Sequence, residues 1–328
     1  MEFTDYYIAY FDVLGCKSFF EVDESTALDF LVSVRQMIDS SVNVASLINQ
    51  SMNLKDLPDM KVEYKLFSDN VALYLKVTDS KLEIIRVLTF LEVIADLQKN
   101  VLFRSKLLLR GGVIKGKMYS DDTLIMGQAL IDAVKLESSA EFPRICLDKS
   151  IIETVNKLIA DLHDTPFLTQ AGMREWLNAI TATMYDGKAF LNYLYAVDIK
   201  KVYPILEFDC TEVFEEIKQK SLKEYENVQK ELASSYIEKI SRNLETHKQV
   251  VLDNIKKYCN FEGVDISDSK AVAIKVSVIR KYKWLVVYHN LLCSFHKKED
   301  CVLTVNYSFD PATLNDYMSW PVPTNNIA

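Results

Sequence analysis

The amino-acid sequence predicts an α+β fold with an added helical region at its C-terminal end. Two observations support this prediction. Over about the first 150 of the 328 residues, short apolar runs rich in aromatic and β-branched residues alternate with longer segments whose apolar residues recur at helical spacing. Beyond them, long charged segments with helical spacing predominate, and the scarcity of glycine (8) and proline (7) argues against a disordered linker.

The elements of the first part follow one another in a recognisable order. Residues 6–14 form the first predicted strand, which Gly15 ends, and residues 25–53 form a helix with Ser25 as its N-cap. The predicted elements that follow are strands over 61–67 and 71–77, a helix over 79–103, a strand over 107–116, a helix over 127–139 and a strand over 143–147. This order is that of a ferredoxin-like βαββαβ domain, in which helices cover one face of a sheet.

The remaining elements are mainly helical. They are a helical segment over 148–182 with a break near Pro166, a strand over 189–198, and helices over 211–258 and 268–295. The first long helix carries an apolar stripe formed by Phe214, Ile217, Tyr225, Val228, Leu232, Tyr236, Ile240 and Leu244. Such a stripe needs a partner surface, either the rest of this chain or a second copy. We therefore divide the chain into a domain over 1–205 and a helical region over 206–328 that serves packing or dimerisation.

The composition of the chain disfavours several classes of function. A net charge of −8 disfavours nucleic-acid binding, which requires a basic face. No apolar run reaches the roughly 18 residues of a membrane span, and no secretory pattern opens the sequence, so we expect no membrane insertion and a cytoplasmic location. The six cysteines are scattered, which favours free thiols. Cys293, His296 and Cys301 lie close in sequence but lack an obvious fourth zinc ligand.

Two aspartates at strand ends are the strongest candidates for a functional site. Asp12 lies near the end of the first apolar strand, and Asp69 lies in the turn between the next two strands. Burying a carboxylate as an ion costs several kcal/mol unless something compensates it, and a divalent cation between two carboxylates does so. The simpler interpretations are a strand-end cap for Asp12 and a turn former for Asp69.

Four segments carry a resemblance to a known family. They are Phe11-Asp12-Val13-Leu14-Gly15, Phe67-Ser68-Asp69, Arg110-Gly111-Gly112-Val113-Ile114-Lys115-Gly116 and Gly127-Gln128-Ala129-Leu130-Ile131-Asp132-Ala133-Val134-Lys135-Leu136-Glu137. In this order they resemble the motifs of class III nucleotidyl cyclases. Together with Phe142-Pro143-Arg144-Ile145 they more closely resemble the pyrimidine cyclases of bacterial Pycsar anti-phage systems. The resemblance covers about residues 5–150 and implies a cyclase catalytic domain.

The resemblance assigns roles to several residues. It implies that Asp12 and Asp69, helped by the Val13 carbonyl, hold two Mg²⁺ or Mn²⁺ ions. It implies that Arg110 binds the triphosphate, where a guanidinium can form paired hydrogen bonds with phosphate oxygens. Lys65 stands where purine cyclases often have a base-reading lysine. A surface ion pair for Arg110 and a solvated strand lysine for Lys65 are the simpler alternatives.

The sequence departs from the family pattern at three positions. Ile131 stands in place of the asparagine that holds the ribose, and Leu124 in place of an acidic base-reading residue. Lys135 aligns with the arginine that stabilises the transition state, so the charge is kept and the forked geometry is lost. These departures disfavour recognition of a purine base by the residues that purine cyclases use.

The leading interpretation is a cyclase that converts UTP or CTP to its 3′,5′-cyclic monophosphate. The resemblance also implies a homodimer with shared sites, in which Asp12 and Asp69 of one copy face Lys135 of the other, and a separate effector protein that binds the cyclic nucleotide. Two alternatives stay open. One is a catalytically silent homologue that binds a nucleotide as a regulatory module, and the other is an adenylate or guanylate cyclase.

Overall fold

The computed structural model describes residues 2–14, 28, 32–33, 35–39, 61–164, 169–184, 186–195, 215–261, 263–265 and 267–305, with the backbone alone for 215–235. The strands are β1 (Thr4–Leu14), β2 (Val62–Phe67), β3 (Asn70–Lys76), β4 (Leu108–Ser120), β5 (Ile125–Met126), β6 (Ile145–Leu147), β7 (Thr181–Thr183) and β8 (Ala189–Leu191). The helices are α1 (Glu83–Ser105), α2 (Gln128–Ser139), α3 (Lys149–Ala160), α4 (Gln170–Ile180), α5 (Glu215–Tyr258) and α6 (Ser269–Phe295), followed by a 3₁₀ turn over Glu299–Cys301.

One mixed sheet organises the described residues. Its strand order is β2-β3-β1-β4-β6-β8-β7, and β5 pairs with β4 beside this path. The antiparallel order β2-β3-β1-β4 is the ferredoxin-like arrangement, which confirms the predicted α+β fold. The parallel pairing of β4 with β6 extends the sheet toward the C-terminal half. Most of the predicted first helix, Ser25 included, lies outside the described residues.

Helices cover both faces of this sheet, which corrects the one-sided arrangement predicted from the element order. The reason is that β1 is buried on both sides. The Tyr7 ring packs 6.5 Å from that of Phe90 on α1, within the main core. Ile8 points to the opposite face and packs with Ala129 and Ala133 of α2 in a second, smaller core.

The C-terminal helices pack against the sheet. Trp284 of α6 stacks on Phe142 with ring centroids 6.0 Å apart and planes 11° apart, and meets Phe190 of β8 edge-on. On α5, Ile240 and Leu244 are buried in the main core. The described part of the apolar stripe is therefore satisfied within the chain. The predicted domain boundary at 205/206 lies outside the described residues and stays a prediction.

The described residues also bear on the predictions from composition. None of the helices in the described ranges is long and apolar enough to cross a membrane. Cys146, Cys259, Cys293 and Cys301 are free thiols and are buried. Cys293 Sγ lies 3.3 Å from His289 Nε2, and no group of three or more potential ligands forms a metal site among the residues that the structure describes.

Candidate active site

Strand pairing brings the two predicted aspartates to one end of the sheet. Asp12 on β1 lies between Asn70 of β3 and Arg110 of β4 in the strand register. Asp69 belongs to the β2–β3 turn, in which Ser68 has a positive φ of 59°. The backbone N–H of Val13 donates to the Asp69 carbonyl oxygen at 3.0 Å. This bond fixes the turn against the end of β1 and places the aspartates side by side.

The electrostatics of Asp12 show that negative charge converges here. Burial raises the pKa of Asp12, and the neighbouring carboxylates Asp69 and Glu137 raise it further, whereas Arg110 and Lys281 oppose the shift. Burial and the same three carboxylates raise the pKa of the nearby Tyr10. A group of like charges at a half-buried strand end is an environment that a cation stabilises.

The two carboxylates fit a magnesium site of the kind that substrate completes. Mg²⁺ is usually held by one or two carboxylates together with water and substrate phosphates, rather than by a cage of protein ligands. Asp69 Oδ1 already accepts a hydrogen bond from Asn70 Nδ2 at 3.0 Å, which orients the carboxylate. Asp12 and Asp69 would therefore hold divalent ions at this end of the sheet, and Val13 follows Asp12 directly on β1.

Arg110 bridges two of the carboxylates. Its Nε and Nη2 lie 2.7 and 2.6 Å from Glu137 Oε1, and Nη2 lies 3.7 Å from Asp12 Oδ2. Glu137 is almost completely buried, with 7% of its side chain exposed, so this ion pair is shielded from water on the Glu137 side. The arrangement holds the guanidinium next to the aspartates, and no residue in the described part of the chain binds its Nη1, which can meet a further anion.

Glu137 is a site residue whose role the sequence analysis missed. It shares the buried face of α2 with Ala129 and Ala133. The helix lies close to β4 because Gly112 has no side chain, and a Cβ there would come within 2.7 Å of Leu136. The available signal was the four-residue spacing of Ala129, Ala133 and Glu137, which places a carboxylate on an otherwise apolar helix face.

Lys135 lies away from this cluster within the chain. Residues two positions apart on a helix point about 200° apart, so Lys135 and Glu137 occupy nearly opposite faces of α2. The Lys135 ammonium is exposed and forms an ion pair of 3.0 Å with Asp132. Ile131, one turn earlier on the same face, is also exposed. The structure therefore does not bring Lys135 to Asp12 and Asp69 of its own chain.

Lys65 contacts the turn that precedes β5. Its ammonium donates a hydrogen bond to the backbone carbonyl of Asp122. The Asp121 carboxylate holds this turn together by accepting from the N–H groups of Thr123 and Leu124 at 2.8 and 2.7 Å. The structure thus brings together Lys65 and the turn that carries Leu124, the two positions matched to base recognition.

Lys281 of α6 is a second residue that the sequence analysis did not assign. Its positive charge lowers the pKa of Asp12, and it comes from a helix outside the resembling segments. The signal available in the sequence was a lysine in line with Trp284, Leu285 and Tyr288, three residues that form an apolar helix face.

Comparison with protein-family models and with curated proteins found no match. Among solved structures, the chain is similar to the adenylyl cyclase CyaB from P. aeruginosa, with 17% identity, a TM-score of 0.33, and coverage of 51% of this chain and 88% of that one. The chain is also similar to the catalytic core of a rhodopsin-guanylyl cyclase with converted specificity in complex with ATPalphaS. Here the identity is 10%, the TM-score is 0.37, and the match covers 58% of this chain and 97% of that one. A third similar structure is an adenylate/guanylate cyclase/hydrolase from Silicibacter pomeroyi, with 19% identity, a TM-score of 0.31, and coverage of 51% of this chain and 86% of that one. At this level of similarity, function is decided by the residues of the site.

Proposed function

We propose that this chain is a nucleotide cyclase that converts UTP or CTP to the 3′,5′-cyclic monophosphate and pyrophosphate. The observation that carries the proposal is the convergence of Asp12 and Asp69 at one strand end, with Arg110 in register beside Asp12. The chemistry of this group suits a triphosphate with its divalent cations. The order of the four cyclase-like segments along the sequence supports the same reaction.

The reaction is an intramolecular substitution at phosphorus. The ribose 3′-oxygen forms a bond with the α-phosphorus, and the bond from that phosphorus to the bridging oxygen of the β-phosphate breaks. Pyrophosphate leaves with the bonding electrons, and the 3′-hydroxyl proton passes to solvent. Divalent ions, when bound, supply acidification of the hydroxyl and neutralisation of the pyrophosphate charge.

The residues of the chain have distinct tasks in this proposal. Asp12, Asp69 and the Val13 carbonyl hold two Mg²⁺ or Mn²⁺ ions. Arg110 binds the triphosphate, and Glu137 keeps the guanidinium in place by accepting from its Nε and Nη2. Holding the α-phosphorus in line with the 3′-oxygen accounts for much of the acceleration expected of such a site.

Base selection is assigned to the contact between Lys65 and the turn that carries Leu124. An ammonium can donate to a base carbonyl, and both uracil and cytosine have a carbonyl at position 2. Leu124 is exposed and cannot accept from an amino group as an acidic residue would. This pair favours a pyrimidine over the purine recognition that an acidic residue at the same position would support.

The proposal includes a homodimer in the cytoplasm. Lys135 and Ile131 lie exposed on the face of α2 away from Glu137, where a second copy can meet them. Each site would then combine Asp12 and Asp69 of one copy with Lys135 of the other, which stabilises the charge on the reacting phosphate. The cyclic product would act on a separate effector protein in anti-phage defence, as the resemblance implies.

Two other functions each have an observation in their favour. A silent homologue that binds a nucleotide is favoured by Ile131, which cannot hold a ribose hydroxyl, and by the ion pair of Lys135 with Asp132. A purine cyclase is favoured by the position of Lys65 next to the turn over residues 121–124, since that contact would also suit a purine carbonyl.

One incubation separates the three functions. The protein is mixed in turn with ATP, GTP, UTP and CTP in the presence of Mn²⁺, and the products are resolved by chromatography. Cyclic UMP or cyclic CMP supports the proposal, cyclic AMP or cyclic GMP supports a purine cyclase, and no product supports the silent homologue. Asp69→Asn is the inactive control, and Asp161→Asn, at an exposed position after α3, is the matched control with activity kept.

A further inference from the structure

The helix α6 is held against the catalytic sheet by aromatic and polar contacts. Trp284 stacks on Phe142, and the Tyr288 hydroxyl donates to Asn192 Oδ1 at 2.6 Å. Trp284 and Tyr288 are 0% and 2% exposed, so these contacts define the docking face of the helix. The docking face is in this way fixed relative to the loop before β6 and the loop after β8.

Lys281 lies on that docking face. It precedes Trp284, Leu285 and Tyr288 by three, four and seven positions, and residues at these separations share one side of a helix. A lysine on such a face is unusual, because charged side chains are seldom placed on packed surfaces without a partner. The Lys281 ammonium forms no hydrogen bond or ion pair with any of the described residues.

The packing anchors the adjacent part of α6 close to the strand end that carries Arg110. The adjacent Arg280 forms an ion pair with Glu141, which lies in the loop between α2 and β6. The end of this loop is bound to β4, because the Gly111 N–H donates to the Arg144 carbonyl oxygen at 3.1 Å. Gly111 directly follows Arg110. The turn of α6 that contains Lys281 is therefore anchored to the loop that borders Arg110.

The charges agree with this placement. The Lys281 ammonium lowers the pKa of Asp12, while burial and the charge of Arg110 lower the pKa of Lys281 itself. The positive charges of Lys281 and Arg110 repel each other in the free protein, and a polyanion bound by both relieves the repulsion. The position suits a phosphate group better than a simple counter-ion for Asp12, which Arg110 already provides.

We propose that Lys281 binds the triphosphate of the nucleotide beside Arg110, so that the C-terminal helix completes the site of its own chain. This inference rests on the proposed function and deepens it. It gives the helical region a task in substrate binding, in addition to packing. It also accounts for the presence of a lysine on a helix face that is otherwise apolar around it.

The test compares the binding of a triphosphate and a monophosphate. The probes are α,β-methylene UTP and α,β-methylene CTP, which cannot cyclise, and UMP and CMP, each titrated calorimetrically with Mg²⁺ present. Lys281→Met keeps the length and apolar stem of the side chain but removes the charge. The triphosphate Kd should rise about tenfold or more, as expected for loss of a hydrogen bond to a charged group, and the monophosphate Kd should change less than about twofold.

Matched variants separate substrate binding from packing. Lys281→Arg should restore most of the triphosphate affinity, and Lys270→Met, at an exposed position near the start of α6, should bind like the wild type. Melting temperatures of all variants show whether the helix stays docked. If Lys281→Met unfolds, the comparison of Lys281→Arg and Lys281→Gln, which keeps a polar stem without charge, decides the matter in the same assay.

The outcomes distinguish this inference from the proposed function. If the wild type and Lys281→Met bind the triphosphate with equal affinity, the proposed role of Lys281 is overturned. It is also overturned if Lys281→Met loses the same affinity for the triphosphate as for the monophosphate. A wild-type protein that forms cyclic nucleotide while Lys281→Met binds normally overturns this inference alone. A wild-type protein that binds the triphosphate analogues through Lys281 but forms no product overturns the proposed cyclase reaction alone.

Discussion

At the scale of single residues, the proposed function makes Asp12 and Asp69 essential for turnover. Asp12→Asn and Asp69→Asn should each reduce turnover to less than about a tenth, an effect of more than about 1.4 kcal/mol on the barrier. The fold should persist, because both side chains face the site and neither fills the core. The measurement is cyclic-nucleotide formation, with far-UV circular dichroism as the check on folding.

Asp12→Asn should have the opposite effect on stability. Burial and repulsion from Asp69 and Glu137 make the charged form of Asp12 unfavourable in the folded protein. In metal-free protein at neutral pH, Asp12→Asn should therefore raise the melting temperature more than Asp161→Asn, which removes only an exposed charge at a helix C-cap. A variant that retains turnover, or an apo melting temperature that falls, would remove Asp12 from the cluster as described.

Residues whose place in the fold follows from their neighbours in the chain can be located from the sequence. Asp12, Asp69 and Arg110 stand at strand ends, and strand ends are readable from apolar runs and turn composition. Glu137 meets Arg110, and the charge of Lys281 acts on Asp12, through the packing of α2 and α6, which brings together residues distant in sequence. The spacing of apolar residues along a helix shows which of its faces is apolar, but it does not show which strand end that face will contact.

At the scale of elements, a chain of hydrogen bonds joins the C-terminal helices to the sheet. His289 Nε2 lies 2.8 Å from the Cys301 carbonyl oxygen, which can only accept, so Nε2 carries the hydrogen. In the neutral ring Nδ1 is then an acceptor, and it faces His247 Nδ1 at 3.1 Å. His247 Nδ1 must donate, which leaves its Nε2 to accept from the Tyr193 hydroxyl at 2.9 Å. Both rings are neutral in this arrangement.

This network predicts an acid-sensitive docking of the helices. Burial lowers the pKa of His247 well below its ordinary value, and it also lowers the pKa of His289. The unfolded chain then binds more protons than the folded protein as the pH falls below about 6.5, so the stabilisation is complete above that pH and is lost below it. Urea midpoints at pH 7.5 and pH 5.5 should therefore differ more in the wild type than in His247→Leu.

The control is His163→Gln, which removes an exposed histidine outside the network and should keep the pH response of the wild type. If the urea midpoint shifts equally with pH in the wild type and in His247→Leu, His247 and His289 do not form a neutral buried pair. Both proteins carry the same buried carboxylates, including Asp12, so their contribution cancels in the comparison.

The predictability of the elements follows from their length. The long helices α1, α2, α5 and α6 and the strands β1 to β4 have enough residues to show a period, and each was predicted within a few residues. β5 and β7 contain two and three residues, which is too short for any alternation. The second helical layer was missed because a strand that is apolar on both sides resembles any other buried strand in sequence.

At the scale of the whole molecule, the prediction concerns the proposed homodimer, in which two copies share each site. The buried face of α2 supplies Glu137 to its own chain, and the exposed face presents Lys135 outward. A homodimer by two-fold symmetry would place Lys135 of each copy opposite the aspartates of the other. Asp12→Asn and Lys135→Ala would then damage opposite walls of the same site, and each variant alone should be inactive.

Mixing the two inactive variants should restore activity. Random exchange makes about half of the dimers mixed, and each mixed dimer has one site with both lesions and one site with none, so activity should recover toward about a quarter of the wild-type value. Subunit exchange is verified with differently tagged copies, and a mixture of Asp12→Asn with Asp69→Asn, which damage the same wall, is the control that should stay inactive. If the first mixture stays inactive after verified exchange, Lys135 does not act across the interface. The exposed face of α2 would then have no part in catalysis, and the aspartates, Arg110 and Lys281 of one chain would have to form the whole site.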